Sequence, residues 1–146
     1  MLPVKIFVED GVDIPEYKTS GSVGFDVSSN EMNPIILKPG ERRLIHTGLY
    51  MEIPTGYELQ IRPRSGLSLK KGFVPVLGTI DGDYRGEIGI IAMNLSKDED
   101  FVINYKDRVA QGIIAPIVTA TFKKVNTIYE LSETDRGMKG FGSTGV

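Results

Sequence analysis

Tyr57-Glu58-Leu59-Gln60-Ile61-Arg62, closed by Pro63, sets the grammar of this chain. Tyr57, Leu59 and Ile61 fall on one face of an extended segment and Glu58, Gln60 and Arg62 on the other, the pattern of a strand with one side buried. Pro63 has no N–H to give a ladder and ends the run. The alternation recurs at Phe101–Tyr105 and Thr121–Val125, and more apolar runs at Arg43–Glu52, Glu87–Asn94 and Arg108–Val118 read as buried strands. His46 lies within one of them and reads as a strand residue. No stretch holds a helical period for long; the best helical candidate is a short turn near Ser65–Lys71. With 8 prolines and 17 glycines dividing these runs, the chain predicts an all-β sandwich, barrel or jelly roll.

At 146 residues the chain is one domain, long enough to bury roughly 68–70% of its unfolded surface. Hydrophobic content of 40% and charged content of 25% are ordinary for a globular protein. No apolar run approaches the roughly 20 residues of a membrane span, and the first residues do not read as a signal peptide, so the expected location is cytoplasmic. Cysteine is absent and His46 is the single histidine, which excludes disulfides, thiolate catalysis and zinc sites built on several histidines or cysteines. There is no G-x-S-x-G elbow and no Gly-Lys pair for a Walker A loop. The net charge of −2 argues against nucleic acid as a partner. It also means that an anionic ligand needs locally concentrated positive charge or a divalent cation.

Several polar clusters interrupt the strands. Arg64-Ser65-Gly66 follows Pro63; the guanidinium can fork onto phosphate oxygens beside a hydroxyl and a glycine N–H, and Ser65 is also a natural N-cap for a short helix. Gly78-Thr79-Ile80-Asp81-Gly82-Asp83-Tyr84-Arg85-Gly86-Glu87 reads as a hairpin. Asp83 belongs to its turn, while Asp81, at the rim of a strand, can orient or deprotonate a water and Tyr84 can lay its ring against a sugar. Asp107-Arg108-Val109-Ala110-Gln111 enters the most apolar run, where the Gln111 amide needs a partner. Ser22-Val23-Gly24-Phe25-Asp26-Val27 is the least distinctive, and Asp26 by itself reads as making local backbone hydrogen bonds. The C-terminal stretch Arg136–Val146 is glycine-rich and too poor in apolar groups to pack a core, so it should fray alone. It nevertheless carries the parts of a phosphate clamp with a stacking ring: Arg136, Phe141, Ser143 and Thr144.

In this order the clusters resemble the five short motifs of the homotrimeric dUTPases, from one end of the chain to the other. Ser22–Val27 matches the first, Arg64–Gly66 the second, Gly78–Glu87 the third, Asp107–Gln111 the fourth and Arg136–Gly145 the fifth. The resemblance implies a jelly-roll-like β-fold assembled as a homotrimer, with active sites shared between subunits. Residues 1–132 would form the β domain, and residues 133–146 a flexible arm closing a neighbour's site. It further implies a dUTP diphosphatase that makes dUMP and pyrophosphate by water attack at the α-phosphorus, supplying dUMP and limiting uracil in DNA.

Carried over by residue, Asp81 would activate the water, and Gly78, Thr79, Ile80 and Asp81 would present backbone to the uracil edge. Tyr84 would pack on deoxyribose and exclude a 2′-hydroxyl. Arg64, Ser65 and Gly66 would hold phosphates and Gln111 the α-phosphate. Arg136, Gly142, Ser143 and Thr144 would grip the terminal phosphate, with Phe141 stacked over uracil. The implied cofactor is Mg²⁺, held by the triphosphate and waters, with no direct protein ligand and Asp26 as an outer contact.

The chain departs from the family pattern at Lys106 and Lys139, where glycine is usual, at Gly112, where an apolar residue is usual, and in Phe73–Leu77, which lacks a polar residue used against uracil. Two other readings stand beside this one. A dCTP deaminase of similar fold would need a catalytic glutamate, for which Glu87 is the one nearby candidate. A nucleotide-sensing regulatory protein would use ordering of the tail without catalysis.

Overall fold

The computed structural model describes residues 1–140. The chain is built almost entirely of short antiparallel strands. In chain order these are β1 (Lys5–Val8), β2 (Phe25–Ser28), β3 (Ile35–Leu37), β4 (Arg42–Ile45), β5 (Leu49–Glu52) and β6 (Tyr57–Arg62). A helix α1 (Ser65–Lys71) follows, then β7 (Phe73–Pro75), β8 (Gly78–Ile80), β9 (Ile90–Asn94), β10 (Phe101–Ile103) and β11 (Arg108–Pro116). A 3₁₀ turn at Ile128–Glu130 comes last among the described residues. No helix among them is long and apolar enough to cross a membrane.

The strands form a sheet in the order β2-β11-β6-β8, another in the order β4-β9-β7, and the pairs β1-β5 and β3-β10. None closes into a barrel, so the barrel alternative gives way to separate sheets packed on one core. Each ladder holds only two to four strands, too few to close on itself. Leu37, Ile45, Leu59, Phe73, Ile90, Ala92, Ile103 and Ala110 are completely buried between them. Phe73 stacks on Phe101 at 4.4 Å. The buried Asn94 amide is satisfied by donating to the Leu37 and Glu99 carbonyls at 2.9 and 2.8 Å.

β6 and α1 span the residues that alternation and the helical turn predict. Other expectations are corrected. Arg43–Glu52 is not one strand: Gly48, at φ 64°, breaks it into β4 and β5, and His46 lies in the break rather than in a strand. Ser65 is not the N-cap of α1; Arg64 holds that position, and no side chain caps the helix. The Gly78–Glu87 segment is not a hairpin. β8 pairs with β6 whereas β9 pairs with β4 and β7, so the turn carries the chain from one sheet to another.

Thr121–Val125 is not a strand either. The segment has no neighbouring ladder within this chain, and Val118 and Phe122 stand 95% and 94% exposed. An isolated alternating segment cannot satisfy its backbone, so it stays irregular.

Candidate active site

The four-stranded sheet aligns three of the polar clusters. Gln111 on β11 faces Asp26 on β2 across one ladder and Arg62 on β6 across the other. Pro63 then releases the chain, so Arg64 turns back over the strand ends. The Asp26 carboxylate takes both neighbouring guanidiniums: Oδ1 lies 3.0 Å from Arg64 Nε and Oδ2 3.1 Å from Arg108 Nη1. Arg64 Nη1 also donates to the Arg108 carbonyl at 2.9 Å. The partners of Asp26 are thus not the local backbone groups that its sequence context suggests but side chains far along the chain. With the carboxylate only 20% exposed, these contacts are partly desolvated and fix the direction of Arg64 more firmly than a surface pair would.

Gln111 donates its amide to the Pro63 carbonyl at 2.7 Å. Gly24 makes room for the other end of that amide, since a Cβ at this position would sit 2.9 Å from Gln111 Oε1. Gly112 is equally constrained: a Cβ there would meet Phe25 Cζ at 2.5 Å. The Phe25 ring thus fills the volume that an apolar residue at 112 would need.

Asp81 and Tyr84 lie elsewhere. The register Leu59↔Ile80 and Ile61↔Gly78 sends β8 toward the start of β6, away from Pro63. Asp81 is therefore separated from Arg64 by nearly the length of β6, about 20 Å at strand rise. Asp81 is exposed, with no ion pair among the described residues. Its carbonyl accepts the Tyr84 N–H at 3.1 Å, and Arg85 Nη1 donates to the Gly82 and Tyr84 carbonyls at 2.7 and 2.8 Å, which stiffens the turn. The Tyr84 hydroxyl donates to the Glu87 carbonyl at 3.0 Å, laying the ring across Gly86. A Cβ on Gly86 would come within 3.0 Å of the ring and closer still to its hydroxyl end.

Glu87 is an anchor for backbone. Its Oε1 accepts the Thr47 and Gly48 N–H groups at 2.8 and 2.9 Å, and its Oε2 is 2.9 Å from His46 Nδ1. Burial works to raise the Glu87 pKa, but His46 and the two N–H donors outweigh it and hold the carboxyl below its ordinary 4.5. The same hydrogen bond and the Glu87 charge raise His46 above 6.5. A carboxylate engaged in this way is poorly placed as the general base of a deaminase.

Arg136 is exposed and donates Nε to the Lys139 carbonyl at 3.0 Å. Lys139 needs no left-handed backbone; among the described residues Lys106, at φ 64°, is the one non-glycine residue that does. Phe141, Gly142, Ser143 and Thr144 lie outside the described residues.

Arg108 adjoins Asp107, but no local pattern marks it as a site residue, because its partner Asp26 is distant in sequence. Lys70 and Lys71 share a groove with Arg64, Ser65, Gly66 and Gln111 and are equally unmarked by local pattern.

An all-β domain that gathers guanidiniums, a hydroxyl and an amide at one sheet end, and a free carboxylate beside a tyrosine at the other, has the parts of a protein that binds an anionic ligand. Comparison with known proteins gives the family. The dUTPase family model matches residues 10–145, and the chain belongs to that family. It is 51% identical over 140 residues to the deoxyuridine 5′-triphosphate nucleotidohydrolase of Chlamydia felis, covering 94% of this chain and 95% of that protein. Among solved structures, it is similar to a mutant Staphylococcus bacteriophage 80alpha dUTPase with dUpNHpp, at TM-score 0.88 and 28% identity over 100% of both chains. It also resembles a mutant dUTPase from phage phi11 of S. aureus, whose structure describes coordination of a structural Mg(II) ion, at TM-score 0.79 and 27% identity over 87% of this chain and 99% of that one.

Proposed function

We propose that this chain is a dUTP diphosphatase, hydrolysing dUTP to dUMP and pyrophosphate by water attack at the α-phosphorus. It thereby supplies dUMP and limits uracil in DNA. The observation that carries this reading is the chain-long identity to a deoxyuridine 5′-triphosphate nucleotidohydrolase.

In this reading Asp81, exposed and unpaired among the described residues, accepts a proton from the attacking water. The backbone of Gly78, Thr79 and Ile80 faces the uracil edge, and Tyr84 packs on the deoxyribose. Arg64, Ser65 and Gly66 bind phosphate oxygens and Gln111 the α-phosphate. Arg136, Gly142, Ser143 and Thr144 close on the terminal phosphate, with Phe141 over the base. Phosphoryl transfer of this kind asks the protein mainly for positioning and charge neutralisation.

The cofactor in this reading is Mg²⁺, which would be held by the triphosphate and waters and would supply charge neutralisation at the leaving pyrophosphate. Among the described residues no three His, Cys, Asp or Glu side chains cluster as ligands. Each Asp26 oxygen has one arginine partner and can still accept a metal-bound water, so Asp26 suits an outer contact.

The separation of Asp81 from Arg64 supports a site completed between copies, in a homotrimer of jelly-roll-like subunits. The exposed Val118 and Phe122 suit burial in such an assembly. Residues 1–132 are then the β domain and 133–146 the arm that reaches a neighbour.

Mixing tests the shared site. Asp81→Asn and Arg64→Ala chains, each inactive alone, are unfolded and refolded together in equal amounts. A site that takes Asp81 and Arg64 from different chains is intact in about a quarter of random combinations. Recovery of about that fraction of dUTP turnover is expected; no recovery in verified mixed oligomers would mean that each site lies within one chain.

A further inference from the structure

We infer that Lys70 and Lys71 extend the phosphate-binding surface beyond Arg64 and hold the pyrophosphate end of the nucleotide. The inference rests on the diphosphatase reading. Arg64, Ser65, Gly66, Lys70, Lys71 and Gln111 border an open groove of about 480 Å³, and no carboxylate lines it. Three cations thus converge in a chain whose net charge is −2. The acid nearest to Arg64 in bonding terms, Asp26, is occupied by Arg64 Nε and Arg108 Nη1. Like most lysines of this chain, Lys70 and Lys71 have no ion-pair partner among the described residues; what sets them apart is the groove they share with Arg64.

The helix end that presents them is fixed. Gly72 ends α1 at φ 65° and donates to the Ser68 carbonyl at 3.2 Å, while its own carbonyl accepts the Leu95 N–H at 2.8 Å. A Cβ at Gly72 would meet the Ser96 nitrogen at 2.7 Å, so the turn is seated tightly against the chain after β9. Two lysines in a last helical turn complement the helix dipole. That role alone does not require a groove shared with Arg64 at the helix's other end. At helical rise α1 is about 10 Å long. Along the helix axis Arg64 and the lysines are thus about 10 Å apart, a span that a chain of linked phosphates covers.

The test compares wild-type protein with the Lys70→Gln/Lys71→Gln double variant and with Lys70→Arg/Lys71→Arg. Inorganic pyrophosphate, tripolyphosphate and dUMP are titrated calorimetrically, and KM and kcat for dUTP are measured alongside. Loss of two screened cation contacts should weaken pyrophosphate, tripolyphosphate and the KM for dUTP about tenfold. dUMP binding should stay unchanged, and the arginine variant should restore affinity. Equal affinity of wild type and glutamine variant for both inorganic ligands would overturn the inference, as would parallel weakening of dUMP. Because these titrations need no turnover, they separate the two readings. Normal dUTP hydrolysis with unaltered pyrophosphate affinity sinks the lysine assignment alone; lysine-dependent tripolyphosphate binding without dUTP hydrolysis sinks the diphosphatase reading alone.

Discussion

Replacing Glu87 with alanine distinguishes an anchor from a catalyst. The substitution strips acceptors from the Thr47 and Gly48 N–H groups, both buried, and removes the partner of His46. An orphaned buried donor costs about 1–3 kcal/mol, reduced where water can enter the space left by the side chain. His46 is 57% exposed, so its ion pair adds little. The sum is about 2–4 kcal/mol, or a fall of about 5–15 °C in Tm for a chain of this size. Glu87→Gln keeps an oxygen for the two N–H groups and should cost about half as much.

The effect also depends on pH. The lowered Glu87 contributes its stabilisation above its ordinary 4.5 and loses it as pH falls through its folded value. The raised His46 contributes below 6.5 and loses it as pH climbs through its folded value. The stability gap between wild type and Glu87→Ala should therefore be widest between these values and narrow on either side. Thermal unfolding across that range, paired with assays of dUTP turnover and ammonia release from dCTP, checks the reasoning. Unchanged stability, or dCTP deamination that Glu87→Ala abolishes, would refute it.

Gly86→Ala should displace the Tyr84 ring that now lies across it. Discrimination of dUTP against UTP, measured as the ratio of kcat/KM, should fall about tenfold or more, and an unchanged ratio would remove Tyr84 from the sugar site. Lys106 holds φ 64°, and its ion pair with Asp13 is exposed. Lys106→Gly should raise stability by up to about 1 kcal/mol and Lys106→Val should lower it by about 1–2 kcal/mol. Equal urea midpoints for the two variants would mean that this backbone angle carries no strain.

Local patterns in the sequence settled much of the fold. β6 and α1 follow from alternation at Tyr57–Arg62 and from a short polar-apolar turn ended by Gly72. What local pattern missed was pairing at a distance. Asp-Gly and Arg-Gly pairs mark a turn at Gly78–Glu87, but whether the flanking strands pair with one another depends on β6 and β4. The alternation of Thr121–Val125 signals a strand only where a ladder awaits it. The site divided along the same line: Arg64, Gln111 and Asp81 stood out by their neighbours in sequence. The Asp26 bridge, the space Gly24 leaves for Gln111, and the groove position of Lys70 and Lys71 depend on contacts across the sheet or helix.

Pyrophosphate release from dUTP, dCTP, dTTP and UTP, with Mg²⁺ and with EDTA, should be measured for the wild-type chain and Asp81→Asn. A dUTP diphosphatase with Asp81 as its base should show metal-dependent turnover of dUTP alone, lost by several orders of magnitude in a variant of unchanged stability. Turnover of dUTP that survives Asp81→Asn, or no wild-type turnover of any of the four, would contradict that reading.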